Sequence, residues 1–222
     1  MKKKKGRKER KRKREQTTNI LPPGETEWTL NGRYTGTTDL PLTQTGIQQV
    51  LSTRSLLIGP SKLIPPSRLS HIYYSPRTRA QQTFTHLFSP HLTDQELSDP
   101  DGFKGTVAET DALAEWDYGL YEGLLTREIR AGRKERGLDG EREWDIWRDG
   151  CEGGEGPGEV QGRLDGLIGE IRSVQGGWMR GEREGGRGAD VLLVCVVFSF
   201  IFYLKKFFYH AFDRLSRWEM AT

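Results

Sequence analysis

The chain has 222 residues, enough for one large domain, with 34% apolar residues and 10% aromatics. That aromatic content argues against disorder throughout, and two cysteines, Cys151 and Cys195, exclude a disulfide framework or a zinc site. Net charge is +3, but residues 1 to 15 alone hold eleven Lys or Arg and two Glu, so the rest of the chain carries −6 (the total of +3 less that +9).

In chain order, the head "MKKKKGRKERKRKRE" repels itself and is expected as a disordered basic tail over residues 1–17. Such a block suits nucleic acid or a nuclear address, or is a solvated tail without a partner. No apolar run follows the charges, so no secretory signal is expected. "TTNIL" reads as a short strand leading into a loop that opens on Pro22 and Pro23. Thr43 is a cap candidate for a helix with Ile47, Val50 and Leu51 on its apolar stripe. "SHIYYSP" reads as a strand stopped by Pro76, and "RTRAQQTFTHLF" as a helix turning Ala80, Phe84 and Leu87 or Phe88 inward. Residues 89 to 110 read as an acidic loop. "ALAEWDYGLYEGL" mixes aromatics, carboxylates and glycines, which suits a structured loop beside a site. "TREIRAGRKERGL" is a charged surface helix.

Pro157 fits the first position of a helix, where its missing N–H costs little. Val160, Leu164, Leu167, Ile168 and Ile171 form that helix's apolar face. "GGWMRGEREGGRG" reads as a flexible linker, and "ADVLLVCVV" is the strongest buried-strand signal. Apolar strands alternating with helices predict an α/β three-layer sandwich around a mostly parallel central sheet. Ligands of such folds sit beyond the carboxyl ends of the strands. The loops starting at Pro22, Ser75 and Val194 should therefore converge.

Four stretches on these loops, "GETEWTLNGRYTGTTDLPLTQTGIQQV", "YYSPRTRAQQT", "LAEWDYGLYEG" and "RDGCEGGEGPGEV", resemble the histidine phosphatase superfamily, the phosphoglycerate mutase-like group, over roughly residues 18–195. The resemblance is closest to fungal-type sugar-phosphate phosphatases, including sedoheptulose bisphosphatase-like members. It implies a phosphoglycerate mutase-like fold and a phosphomonoesterase acting on sugar phosphates, with no cofactor or metal. A histidine after the first strand would carry the phosphoryl group. Arginines and a second histidine would stabilise its oxygens, and a carboxylic acid would protonate the leaving group. Arg79 matches the phosphate-clamping arginine, whose planar fork suits two oxygens. Glu115 matches the general acid, in surroundings that Trp116 and Tyr118 help to dry. Thr29, Arg33, Thr35 and Gly36 match substrate-contacting positions, and Tyr118 is placed on the substrate side. Ser75 reads as shaping the following helix.

The departures from the family pattern are as specific as the matches. Where the family has Arg-His before the loop glycine, this chain has Pro22 and Pro23; the nucleophile position is Pro23. Proline offers no side-chain nucleophile and no N–H. The second histidine should follow the last strand, where Cys195, Val196, Val197 and Phe198 stand. His71, His86, His91 and His210 fit neither position. Residues 196–222 read as an aberrant apolar tail, and both flanks have the composition of translated non-coding sequence, which suggests a mis-assembled gene model. Three readings remain open. They are an enzyme-family chain inactive as written, a pseudoenzyme binding phosphorylated ligands, and a basic-tailed protein associated with nucleic acid or a membrane. The apolar run from Val191 to Leu204 has 14 residues, short of the roughly 20 a span needs, so the membrane reading is disfavoured. The expected location is cytoplasmic, with the nucleus as the alternative, and oligomeric state is not readable.

Overall fold

The computed structural model describes residues 16–88, 103, 105–180 and 188–195. The expected basic tail and the apolar tail therefore lie outside the described residues, apart from the last two positions of the former. Four parallel strands form one sheet in the order β1 (Thr18–Leu21), β4 (Asp190–Val194), β2 (Leu69–Tyr74), β3 (Thr106–Glu109). The central strand, β4, is buried at all five positions. Successive side chains on a strand face opposite ways, and β4 feeds two cores accordingly. Val191 and Leu193 pack with Val160, Leu164, Leu167 and Ile171 of α6 (Pro157–Met179) and with Ile129 of α4 (Thr126–Glu135). Leu192 and Val194 pack with Val50 of α2 (Gln44–Leu57) and with Ala80 and Leu87 of α3 (Thr78–Phe88). Helices thus cover both faces, which is the three-layer α/β arrangement expected.

Local chemistry sets the helix ends. The Thr43 hydroxyl accepts from the Gly46 N–H at 2.9 Å and caps α2, meeting one of the donors a helix start leaves unpaired. Pro157 occupies the first turn of α6, and the Glu159 carboxylate accepts from the Gly156 N–H at 2.7 Å.

Three sequence expectations need correction. The segment 89–110 was expected to be loop, but Thr106–Glu109 is the edge strand β3, paired with His71–Tyr74. Four residues, half-buried only at the adjacent Val107 and Ala108 on opposite faces, carry no alternation to stand out. The segment expected as a linker from Gly176 begins as helix: α6 runs through Met179, with Gly177 and Trp178 buried. Tertiary burial of Trp178 outweighs the helix penalty of about 1 kcal/mol per glycine. Within the first loop, Glu27–Asn31 forms a short helix, α1. A second short helix, α5 (Ile146–Asp149), buries Ile146. Among the described residues, no helix is long and apolar enough to cross a membrane.

Candidate active site

All four strands end at one level. Leu21 and Tyr74 both pair with Val194, and Tyr74 pairs with Glu109. Main-chain bonds extend this edge by one residue: the Ser75 N–H donates to the Val194 carbonyl at 3.0 Å, and the Cys195 N–H donates to the Leu21 carbonyl at 3.3 Å. Pro22, Cys195 and Ser75 are therefore neighbours along the carboxyl edge, as the three expected loops require. The Ser75 hydroxyl accepts weakly from the Arg77 N–H, at 3.4 Å, at the start of α3. Asp39 completes that helix start, accepting from the Thr78 N–H at 2.8 Å and from the Thr78 hydroxyl at 2.5 Å.

Arg79 lies in the first turn of α3 and is only 2% exposed. Its Nη2 donates to the Thr35 carbonyl at 2.9 Å and its Nη1 to the Thr38 carbonyl at 3.3 Å. Burial pushes its guanidinium below the ordinary arginine range, and the charge of Glu115 opposes that shift. Glu115 is 4% exposed, and one of its oxygens accepts from the Trp116 N–H at 2.8 Å. Trp116 and Tyr118 are fully buried beside it. Burial first, and the Glu115 charge second, push the Tyr118 phenol well above its usual range. The Glu115 charge thus acts on both Arg79 and Tyr118.

The first-loop residues divide. The carbonyl of Thr35 holds Arg79, while its hydroxyl donates to the Arg33 carbonyl at 3.1 Å. Gly36 packs where only glycine fits: a Cβ there would meet the Trp116 carbonyl oxygen and would lie 2.9 Å from Tyr118 Cδ2. The Arg33 guanidinium turns to α4, donating to the Gly123 carbonyl at 2.5 Å and pairing with Glu128 at 3.5 Å. The Thr29 side chain donates to the Thr26 carbonyl and accepts from the Thr26 N–H, at 2.7 and 2.8 Å, so it caps α1. The structure therefore joins Arg79, Glu115, Thr35, Gly36 and Tyr118, and engages Arg33 and Thr29 in holding the loop. Cys195 is buried at the sheet edge, and burial with the nearby Glu115 charge pushes its thiol up to about 12. A thiol so held is not a thiolate near neutral pH. Among the described residues, no cluster of three or more His, Cys, Asp or Glu side chains is placed to hold a metal ion.

Sequence reading passed over Glu122. Its carboxylate accepts from the Gly36 N–H at 2.9 and 3.0 Å and from the Thr38 N–H at 2.9 Å. The segment it fixes is the one whose carbonyls hold Arg79. Replacing Glu122 by Ala leaves those N–H groups without their carboxylate and is expected to lower stability by about 1–3 kcal/mol. Urea unfolding of the two chains measures this. A loss within about 0.5 kcal/mol, typical of an ordinary surface site, would show that Glu122 does not hold the loop.

The family model of the histidine phosphatase superfamily (branch 1) matches residues 24–178. The chain belongs to this superfamily. The match begins at Gly24, directly after the two prolines. Among curated relatives, the chain is 42% identical over 174 residues to the sedoheptulose 1,7-bisphosphatase of Saccharomyces cerevisiae, covering 78% of this chain and 60% of the relative. It is 35% identical over 149 residues to an acid phosphatase of Mycobacterium tuberculosis, covering 67% of this chain and 60% of the relative. The chain thus spans about three-fifths of the length of each of these relatives. Among solved structures, an open reading frame product of Mycobacterium tuberculosis superposes with a TM-score of 0.53 at 30% identity, over 80% of this chain and 72% of that one. Another solved structure, Bacillus stearothermophilus YhfR, gives 0.59 at 22% identity over 85% of this chain and 77% of that one, which speaks for the fold alone.

Proposed function

We propose that this histidine phosphatase-family chain binds phosphorylated small molecules, sugar phosphates foremost, at the carboxyl edge of its sheet, and does not hydrolyse them as written. The observation that carries the binding half is Arg79. It is a buried guanidinium at the strand ends with five N–H donors. Two of its nitrogens are engaged by loop carbonyls, each through one N–H, and among the described residues no other hydrogen-bond partner is found for it. A buried cation with donors in hand suits a phosphate, which accepts charge-assisted bonds from a fork. Glu115 lies close enough to couple with it and takes the general-acid position. The names of the two curated relatives, a sugar bisphosphatase and an acid phosphatase, favour a phosphate monoester as the ligand class.

The inactive half rests on residue chemistry at Pro22, Pro23 and Cys195. None supplies an imidazole; Pro23 and Cys195 stand at the strand edge where the family's histidines would stand, and Pro22 where its arginine would. The proposed location is cytoplasmic, with the basic head as a separate route to the nucleus.

Binding is tested by titrating inorganic phosphate and vanadate into the full chain. Arg79→Ala is expected to weaken affinity tenfold or more, since a charge-assisted bond contributes about 1.5–3 kcal/mol. Replacing Lys2, Lys3, Lys4 and Lys5 by Ala should weaken affinity less than Arg79→Ala does. Equal losses would assign the anion affinity to the head and overturn the reading.

A further inference from the structure

We propose that the Arg163–Glu155 ion pair is a positioning device for the Glu115 carboxyl, acting through the backbone on both sides of it. Arg163 stands in the second turn of α6. Its Nη1 donates to the carbonyls of Ala112 and Ala114 at 2.9 and 2.7 Å. Its Nε and Nη2 grip the Glu155 carboxylate at 2.9 and 3.1 Å. Glu155 then holds the other flank: its Oε2 accepts from the Asp117 N–H at 3.0 Å, and its own N–H donates to the Asp117 carbonyl at 2.8 Å. Its main-chain carbonyl accepts from the Trp116 indole N–H at 2.7 Å. Residues 112, 114, 116 and 117 are thus each bonded to this one pair, and Glu115 is the carboxyl they enclose.

The route to the carboxyl is short. Glu155 fixes the Trp116 indole, and the Trp116 N–H donates to Glu115 at 2.8 Å. A two-point guanidinium–carboxylate fork adds directional rigidity as well as energy, and its guanidinium is mounted on a 23-residue helix. As a stability device alone the pair would be modest, because its side chains keep 18% and 23% exposure and partly solvated pairs contribute little. Its geometry matters more. A carboxyl working against a phosphate ester must sit within a fraction of an ångström of its place. Among the described residues, the Glu115 charge acts on Arg79, Tyr118 and Cys195. The inference rests on Glu115 belonging to the proposed site, and its test needs no bound anion.

The test follows glutamate carboxyl resonances of the full chain against pH by NMR, with Glu115 assigned through Glu115→Gln. In Arg163→Met the Glu115 midpoint is expected to move by about half a unit or more, as its distance to Arg79 and to water changes. Glu170, which accepts from the Tyr73 hydroxyl at 2.8 Å further along α6, should stay in place and report that the helix is still seated. Arg163→Lys, which can still reach a carbonyl, should bring the Glu115 midpoint back toward the original. Glu155→Gln should move it less than Arg163→Met does. An unchanged Glu115 signal in a folded Arg163→Met chain overturns the proposal. So does a joint shift of Glu115 and Glu170, or failure of all three variants to fold, because either assigns the pair to holding the fold. Absent phosphate binding would overturn the proposed ligand class and leave this result standing.

Discussion

Purified protein of this sequence is expected to turn over phosphomonoesters at background, and Pro22→Arg with Pro23→His is expected to leave it well short of an efficient enzyme. The double substitution returns a nucleophile and a clamp to the end of β1. It does not supply the second imidazole. The Cys195 N–H donates to the Leu21 carbonyl, so the chain just after β4 stands beside the chain just after β1. A histidine there would reach the same phosphoryl group as one at position 23. Cys195 cannot stand in for it, since its thiol is pushed up to about 12 and carries no positive charge in any state. One lost donor to a developing oxyanion commonly costs about a hundred- to a thousandfold in rate. Groups that act as a unit also fail together rather than additively. A rebuilt chain, with Arg-His at 22 and 23, a His-Gly turn after Val194 and residues 196–212 removed, should exceed the double substitution by about a hundredfold or more in kcat/KM. Kinetics of the three chains on one sugar phosphate decide it. Equal rates for the double substitution and the rebuilt chain would show that the second histidine is dispensable.

How much of this was readable in advance depended on how local the causes were. β4 declared itself because the unbroken apolar run from Val191 to Cys195 can only be satisfied by two covered faces, and the structure buries all of Asp190–Val194. The Thr43 cap and Pro157 were readable for the same reason: a helix start is settled by residues within four positions of it. Arg79 and Glu115 were found through motif context, and the structure couples their charges. The supports were not readable. Glu122 bonds to residues more than eighty positions away, and Arg163 to carbonyls about fifty positions away. No periodicity or cap rule links such pairs. In sequence, Arg163 is one more polar residue on an amphipathic helix. Arg33 shows the opposite case: a motif position that reads as a ligand contact has its guanidinium engaged by Gly123 and Glu128. Charge type was visible, but the direction of a long side chain was not.

The remaining large effect concerns stability without any ligand. Arg79→Met is expected to destabilise the chain by about 3 kcal/mol, the scale for leaving buried acceptors of a charged donor unpaired. Three losses combine. The carbonyls of Thr35 and Thr38 lose their donors, and Glu115, 4% exposed, keeps its place without the cation that offsets its charge. Methionine recovers part of the packing, because its length and flexibility fill the aliphatic part of the vacated space. Glu115→Gln in the Arg79→Met background then removes the uncompensated carboxylate while preserving an acceptor for the Trp116 N–H. The double variant is therefore expected to be more stable than Arg79→Met alone. The two changes should fall short of additivity by about 1–3 kcal/mol, in the range found for residues sharing one network. Urea unfolding of the four chains closes the cycle. Additivity within about 0.5 kcal/mol, as for distant sites, would mean that Arg79 and Glu115 do not share a site, and the phosphate-binding reading would lose its geometric basis.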